Sequence, residues 1–173
     1  MVLGDGGRER RTHRDVTGRA ATVNARRAVK IEESVTVHGP ARELYDLWRD
    51  FSTLPRFMEH LESVVCTDDR HAHWVARMPG GKHIEWDSEI VNDIPSELIA
   101  WKTVGEPDVA HAGSVHFRRA GAGDETEVRL VLDYEPPAAS MIGRFDGSLG
   151  EVPDALVRQE LQRFKTYAEA DGR

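Results

Sequence analysis

The sequence predicts an α+β fold in which a curved, seven-stranded antiparallel sheet wraps around one long C-terminal helix. A strand-like alternation of apolar and polar residues comes first, and two short helical stretches follow it. Six further strand-like stretches then succeed one another with no helical period between them. A firm helical period returns only near the C-terminus, and that helix is the one element large enough to cover the apolar face of such a sheet.

Composition sets the broad class. The chain has 173 residues, of which 39% are hydrophobic and 31% charged, and this is typical of a soluble domain with one core. It contains no apolar run long enough for a membrane span. The single cysteine, Cys66, excludes an intramolecular disulfide, and without a secretory apolar stretch at the start we expect a cytoplasmic protein. A net charge of -7 argues against nucleic acid as the main partner.

Residues 1–27 differ from the rest of the chain. They hold seven arginines, three acidic residues and four glycines, with no aromatic residue and no amphipathic period. Such a segment buries too little surface to offset the cost of ordering, so we expect a disordered tail before a folded domain at 28–173. A basic arm that docks on anionic lipid or RNA is the alternative, and the interspersed acids favour a passive tail.

The spacing of apolar residues, together with glycine and proline residues that end each segment, predicts the first elements. An apolar and polar alternation indicates a half-buried strand, with Glu33 as its one interruption on the apolar face. Gly39 and Pro40 end that strand, and proline suits the first turn of a helix. Ser52 is a candidate helix cap. We therefore predict a strand at 29–37, a helix at 41–49 and a second short helix at 52–60.

The middle of the chain predicts an antiparallel meander, because polar or glycine-rich turns separate its strand-like stretches. We place these strands at about 61–68, 71–78, 82–92, 96–104, 111–119 and 125–135. A short uneven helix then precedes a firm helix at about 153–170. The apolar stripe of that firm helix consists of Val157, Leu161, Phe164 and Ala168.

A sheet that grips a helix in this way, a helix-grip fold, leaves space between the two that is usually a ligand cavity. Five stretches occur in order within it: LYDLWRDFSTLPRFM from residue 44, IEWDSEI from 84, IAWK from 99, AGSVHF from 112 and TEVRL from 126. Over residues 29–170 the chain thereby resembles the START-like (SRPBCC) superfamily. Within it the chain is similar to the polyketide cyclase/dehydrase and lipid-transport group, which includes coenzyme Q-binding START-like proteins. This resemblance implies a hydrophobic small-molecule pocket, and the group shares a cavity rather than one reaction.

Strand parity predicts which side chains face that pocket. Trp74, Trp86 and Trp101 fall on the same face of three successive strands, where they could form an aromatic wall for a polycyclic or quinone-like ligand or simply fill the core. The predicted ligand contacts are Trp74, Met78, Trp86, Ser88, Trp101, Thr103, Phe117, Tyr134, Met141, Phe145 and Phe164.

Few polar residues share the dry face, and three of them are candidate catalytic groups. Glu33 would be a carboxylate facing an apolar cavity, where it could act as an acid or base. Its alternatives are a place near the strand end or at a bulge, or a contact with an arginine. Tyr134 could orient a ligand carbonyl or phenol, or cap the sheet edge. Ser88 is either a third polar contact or a small strand residue.

Other reactive-looking residues fall on the wet face. His71 and His73 have the spacing of two metal ligands on one strand, but no third ligand matches, so we expect no metal site. Glu85, Asp87 and Glu89 are consecutive acids on one face, which is typical of a solvated surface. The chain has no nucleophile elbow, phosphate loop or dinucleotide fingerprint, and we expect no cofactor.

The segment before the last helix is predicted to act as a gate over the pocket, because glycines would let its apolar residues move. Plain packing of an irregular helix is the alternative. The apolar residues are Met141, Ile142, Phe145 and Leu149, and the glycines are Gly143, Gly147 and Gly150.

Three functions follow from these observations. A carrier or sequestering protein for a lipid, quinone or polyketide-like molecule needs only a cavity, and we favour it. An aromatase/cyclase-type enzyme, independent of cofactors, would fold a poly-β-ketone chain and promote aldol closure and dehydration with few polar groups. An interaction module with a filled core and no ligand is the third.

Overall fold

A computed structural model of the chain describes residues 28–78, 81–135 and 154–171, together with residue 23. The chain order is strand, helix, 3-10 helix, six strands and a long helix. The elements are β1 Val29–His38, α1 Ala41–Arg49, the 3-10 helix Phe51–Arg56, β2 Leu61–Cys66, β3 His71–Arg77, β4 His83–Ile94, β5 Leu98–Val104, β6 His111–Ala120, β7 Glu125–Tyr134 and α2 Asp154–Asp171.

The seven strands form one curled antiparallel sheet in the spatial order β1-β7-β6-β5-β4-β3-β2. Each neighbour pair from β2 to β7 is a hairpin, and only β1 crosses over to join the last strand. The α+β class and the seven-stranded antiparallel sheet predicted from the sequence are confirmed.

Alternating burial along the strands gives the sheet its dry and wet faces. In β3, Ala72, Trp74 and Ala76 are buried while the residues between them are partly exposed. The apolar stripe of α2 is buried as well, from Val157 to Ala168. The core therefore lies between the dry face of the sheet and the helices that cover it.

Polar contacts between α2 and β1 hold the helix over the edge of the sheet that β1 forms. The Arg158 guanidinium donates to the Glu33 carboxylate at 2.7 Å, and the Lys165 ammonium donates to the Thr36 carbonyl at 2.6 Å. Glu33 thus shares the dry face, as parity predicts, and contacts an arginine there.

The region after α1 departs from the prediction. The second short helix is a 3-10 helix of six residues rather than a helix over 52–60, and Asp50 caps it in place of Ser52. The Asp50 carboxylate accepts from the Ser52 backbone N–H at 3.2 Å. Pro55 lies inside this helix and has no N–H to donate, which helps to explain why it ends at Arg56.

Two predictions concern parts of the chain outside the described residues: the tail at 1–27, apart from residue 23, and the gate segment that contains Met141 and Phe145. Among the helices that the structure describes, none combines the length and the apolar character needed to cross a membrane.

Candidate functional site

A cavity of about 170 Å³ lies between the dry face of the sheet and α2. An apolar cavity of about 150 Å³ is large enough to hold benzene, so this space suits a ligand of one or two rings. Four polar residues contribute to its wall: His60, His111, Tyr134 and Glu160. The apolar part of the wall comprises Trp48, Leu54, Met58, Leu61, Trp74, Ala76, Met78, Ile84, Trp86, Trp101, Val109, Leu130, Leu132, Leu156 and Val157.

Aromatic side chains shape one side of this cavity. Trp74 and Trp86 stack with ring centroids 5.7 Å apart and planes 15° from parallel, as their cross-strand pairing in β3 and β4 allows. Phe51 packs against Trp74 at 5.1 Å and against the edge of Trp101 at 5.9 Å. The three tryptophans that were predicted to face the pocket therefore line the cavity without filling it.

The position of the Trp101 side chain depends on Gly113. The two residues are cross-strand partners in β5 and β6. A Cβ at Gly113 would lie 2.4 Å from a ring carbon of Trp101 and 2.9 Å from a methyl of Leu132. Only a residue without a side chain lets the indole lie this close to the sheet.

Two buried hydroxyl groups support the cavity wall from behind. Ser88 Oγ accepts a hydrogen bond from Trp74 Nε1 at 2.8 Å, and this bond fixes the orientation of the Trp74 indole. Thr103 Oγ1 accepts from the His111 backbone N–H at 3.2 Å. Both hydroxyl residues are fully buried, and neither lines the cavity.

Glu160 is the one charged residue that is buried among those described, at 3% exposure. Its Oε1 atom lies 3.0 Å from His60 Nδ1 and 3.5 Å from a guanidinium nitrogen of Arg163. Its Oε2 atom is buried and has no hydrogen-bond partner among the described residues. The cavity wall therefore contains a carboxylate with one oxygen still able to accept a hydrogen bond.

His111 and Trp86 form a second polar region of the wall. Their rings meet edge to face at 5.1 Å. Burial lowers the pKa of His111 from 6.5 to about 4, so its imidazole is uncharged at neutral pH. The buried Nε1 of Trp86 has no hydrogen-bond acceptor among the described residues.

The structure brings together five of the eleven predicted ligand contacts: Trp74, Met78, Trp86, Trp101 and Tyr134 line the cavity. Tyr134 lies opposite His111 in the β6–β7 ladder. Four others, Ser88, Thr103, Phe117 and Phe164, are buried elsewhere in the core, and Met141 and Phe145 lie outside the described residues.

Phe117 and Phe164 pack against other aromatic rings. Phe117 meets Tyr45 edge to face at 5.9 Å, and Phe164 contacts Trp48 at 5.0 Å. Glu33, the first catalytic candidate, is not among the cavity-lining residues and forms an ion pair with Arg158 instead.

Sequence reasoning missed three polar residues of the cavity: His60, His111 and Glu160. Two of them carried a usable signal. Glu160 is three residues after Val157 and four before Phe164, on the buried stripe of α2, and His111 has the same strand parity as Gly113. His60 lies in a turn between the 3-10 helix and β2, where no period predicts a direction.

Two histidines of the wet face pair with carboxylates. His71 Nδ1 lies 2.9 Å from Asp68, and His73 Nδ1 lies 2.8 Å from Asp87. Within the described ranges, no group of three or more histidine, cysteine, aspartate or glutamate residues is arranged to hold a metal ion.

A larger groove, of about 1030 Å³, lies on the outside of the protein between α1 and the end of α2. Its wall includes the carboxylates of Glu43, Asp46, Asp50, Asp124 and Glu169. An acidic open groove does not suit a hydrophobic ligand, so the smaller apolar cavity is the candidate site.

Comparisons with known proteins agree with this geometry. Residues 37–159 match the family described as polyketide cyclase/dehydrase and lipid transport. An uncharacterised 17.2 kDa protein of Streptomyces lincolnensis is 37% identical over 143 residues, which cover 83% of this chain and 91% of that protein.

Two solved structures show the same fold. The Zhui aromatase/cyclase from a Streptomyces species has a TM-score of 0.68 at 18% identity, over 84% of this chain and 96% of that one. A START superfamily protein from Mycobacterium smegmatis has a TM-score of 0.64 at 12% identity, over 82% and 97% of the two chains. The START-like, helix-grip fold expected from the sequence is thereby confirmed.

Proposed function

The chain belongs to the polyketide cyclase/dehydrase and lipid transport family, and from that premise we propose that it binds a hydrophobic aromatic small molecule between the sheet and α2, as a carrier or sequestering protein. The observation that carries this proposal is the cavity of about 170 Å³ with its largely apolar wall. Transfer of apolar surface from water into such a space contributes roughly 25 cal/mol per Å² buried.

The arrangement of the tryptophans supports a ligand over a filled core. Trp74, Trp86 and Trp101 pack on one another or on Phe51 and leave open space in front of them. A flat ligand that enters this space meets stacked indoles, and aromatic contacts of this kind add about 0.5–1.5 kcal/mol beyond the area buried. An interaction module with no ligand would have no use for this space.

Native mass spectrometry of the freshly purified full chain tests the proposal. We expect a stoichiometric mass excess that disappears on denaturation, and organic extraction of the released compound identifies its class. If the protein arrives empty, a panel of quinones, lipids and aromatic compounds should restore a mass shift. A bare mass that no member of the panel shifts would contradict the proposal.

A cavity-filling variant sharpens this test. Ala76 is fully buried and lines the cavity, so Ala76→Leu should remove the mass excess by occupying the space. Ala100→Leu makes the same change on the wet face of β5 and should leave it intact. Equal occupancy in the two variants would place the ligand elsewhere.

An aromatase/cyclase-type enzyme is the second candidate, and one observation favours it: the cavity wall carries His60, Glu160 and an uncharged His111. In aldol closure a base takes a proton from the methylene between two carbonyls, and the enolate carbon bonds to a ketone carbon. The resulting alkoxide takes up a proton, and dehydration then releases water. The fold shared with the Zhui aromatase/cyclase is compatible with such a role.

Incubation with a synthetic poly-β-ketone thioester tests the enzymatic alternative. Turnover would give a product lighter by one water per ring closed and dehydrated, faster than in buffer. Glu160→Gln should slow this reaction. A product profile identical to the one in buffer would leave only the carrier function.

A further inference from the structure

We propose that Glu160 selects ligands with an aromatic hydroxyl group, so that the cavity takes a phenol-like compound in preference to a pure hydrocarbon. This inference rests on the proposed function, because it names the ligand class of the same cavity. It follows from three features: the burial of Glu160, its one vacant acceptor atom and the apolar aromatic space beside it.

The burial of Glu160 sets the chemistry. A carboxylate in an apolar interior is costly unless hydrogen bonds satisfy both oxygens. Oε1 has a hydrogen bond with His60 at 3.0 Å and an ion-pair contact with Arg163 at 3.5 Å. Oε2 is buried and has no partner among the described residues, and Glu160 lies in the cavity wall. A donor from within the cavity would complete the set.

The surroundings decide which donor fits. A ligand with only carbonyl or ether oxygens has nothing to donate to a carboxylate. A ligand carboxylate would be repelled by Glu160. An ammonium group would bring a second positive charge close to that of Arg163, into a wall that is mostly apolar. A neutral hydroxyl donates one hydrogen bond and brings no charge.

The cavity also limits the size and shape of the ligand. Its volume of about 170 Å³ suits one or two rings. The stacked pair of Trp74 and Trp86 suits a flat ring. Together these features describe a hydroxylated mono- or bicyclic aromatic compound.

Calorimetric titration of the full chain near neutral pH, with para-bromophenol and para-bromotoluene, tests this inference. The two probes have nearly the same shape, and the phenol is neutral under these conditions. An apolar cavity without an acceptor would favour the toluene, because it has no hydroxyl group to desolvate. With Glu160 as acceptor we expect the phenol to bind at least about tenfold more tightly, as a hydrogen bond to a charged group allows.

Two variants assign the effect to Glu160. Glu160→Met keeps a side chain of similar size and removes the acceptor, so the order of affinities should reverse in favour of the toluene. Glu85→Met makes the same change on the wet face of β4, at an exposed residue, and should keep the preference for the phenol.

The outcomes separate this inference from the function on which it rests. If the native protein binds neither probe, both fail for ligands of this size. If it binds both probes, but binds the toluene as tightly as the phenol or more tightly, the cavity function stands and the proposed selectivity of Glu160 is wrong. A folded Glu160→Met protein that still prefers the phenol would overturn it as well. Should that variant not fold, the comparison of the two probes on the native protein decides.

Discussion

At the residue scale, the position of Trp101 depends on the missing side chain of Gly113. We predict that Gly113→Ala displaces the indole, since the new methyl would lie 2.4 Å from its ring. Overpacking of this kind costs about 1–3 kcal/mol of unfolding free energy. Urea unfolding measures this loss, and a shift in tryptophan emission reports the displaced ring.

Gly123 offers a matched control for this prediction. A Cβ at Gly123 would meet no heavy atom within 4 Å, so Gly123→Ala should leave stability and emission close to those of the native protein. Equal losses in the two variants would mean that the contact with Trp101 has no special importance.

His111 predicts how acid affects stability. Its pKa falls from 6.5 to about 4 on folding because burial disfavours the charged imidazole. Between these two values the unfolded chain takes up a proton that the folded chain does not. The contribution of His111 to stability is therefore complete above about pH 6.5 and is lost as the pH falls toward 4, by up to about 3 kcal/mol.

His111→Gln tests this dependence, because glutamine keeps a polar side chain but does not titrate in this range. Urea unfolding at several pH values between neutral and 4.5 should show a smaller acid-induced loss in the variant. Parallel pH profiles for the variant and the native protein would show that His111 takes up a proton equally in both states.

The sequence predicts the faces of the strands but not the partners of individual polar residues. Glu33 lies on the dry face, as its parity requires, yet its partner Arg158 is 125 residues away in the chain. The apolar stripe of α2 predicts which helix face is buried, but it does not show that a charged residue on that face, Glu160, is buried with it. The vacancy at its Oε2 follows from the placement of His60 and Arg163, which no local pattern reveals.

At the scale of elements, α1 is fixed to the sheet by a polar cluster at the end of β4. Asp93 accepts hydrogen bonds from the Tyr45 hydroxyl and from Arg49 Nε, the latter at 2.8 Å. Burial alone would raise the pKa of Asp93, but these two donors outweigh it and the net pKa is lowered. Burial, followed by the contact with Asp93, raises the pKa of Tyr45 to about 12.

We predict that Asp93→Ala loosens α1, because it leaves two part-buried donors without their acceptor. The cost should be about 1–3 kcal/mol of unfolding free energy, measured in urea. Asp46→Ala removes an exposed carboxylate from α1 itself and should cost much less. A loss no larger than that of the control would show that Asp93 does not hold the helix.

The ends of a helix or strand could be predicted where its hydrophobic repeat is long and glycine or proline residues mark its boundary. The predicted helix over 41–49 is confirmed, because an apolar stripe and the Gly39–Pro40 boundary specify it. The sequence predicts a longer helix over 52–60 because apolar residues continue a helix-like spacing from Leu54 to Leu61, beyond the observed end of the 3-10 helix at Arg56. Spacing alone does not distinguish that helix from the turn that follows it.

At the scale of the whole molecule, the fold creates a cavity and the sequence surrounds it with indoles. All four tryptophans of the chain, Trp48, Trp74, Trp86 and Trp101, line the same space. They come from α1, β3, β4 and β5, so only the complete fold brings them together. Alternation and turn residues predict the antiparallel meander and the faces of its strands, whereas the ligand class depends on contacts between distant elements.

This arrangement makes intrinsic fluorescence a direct test of the central claim that the cavity binds an aromatic ligand. Bromine quenches an indole on contact, and each indole of the chain lies in the cavity wall. Titration with para-bromophenol should give saturable quenching with one site per chain, and Ala76→Leu should abolish the saturable part. Quenching that rises linearly without saturation, equally in the native protein and the variant, would contradict the account.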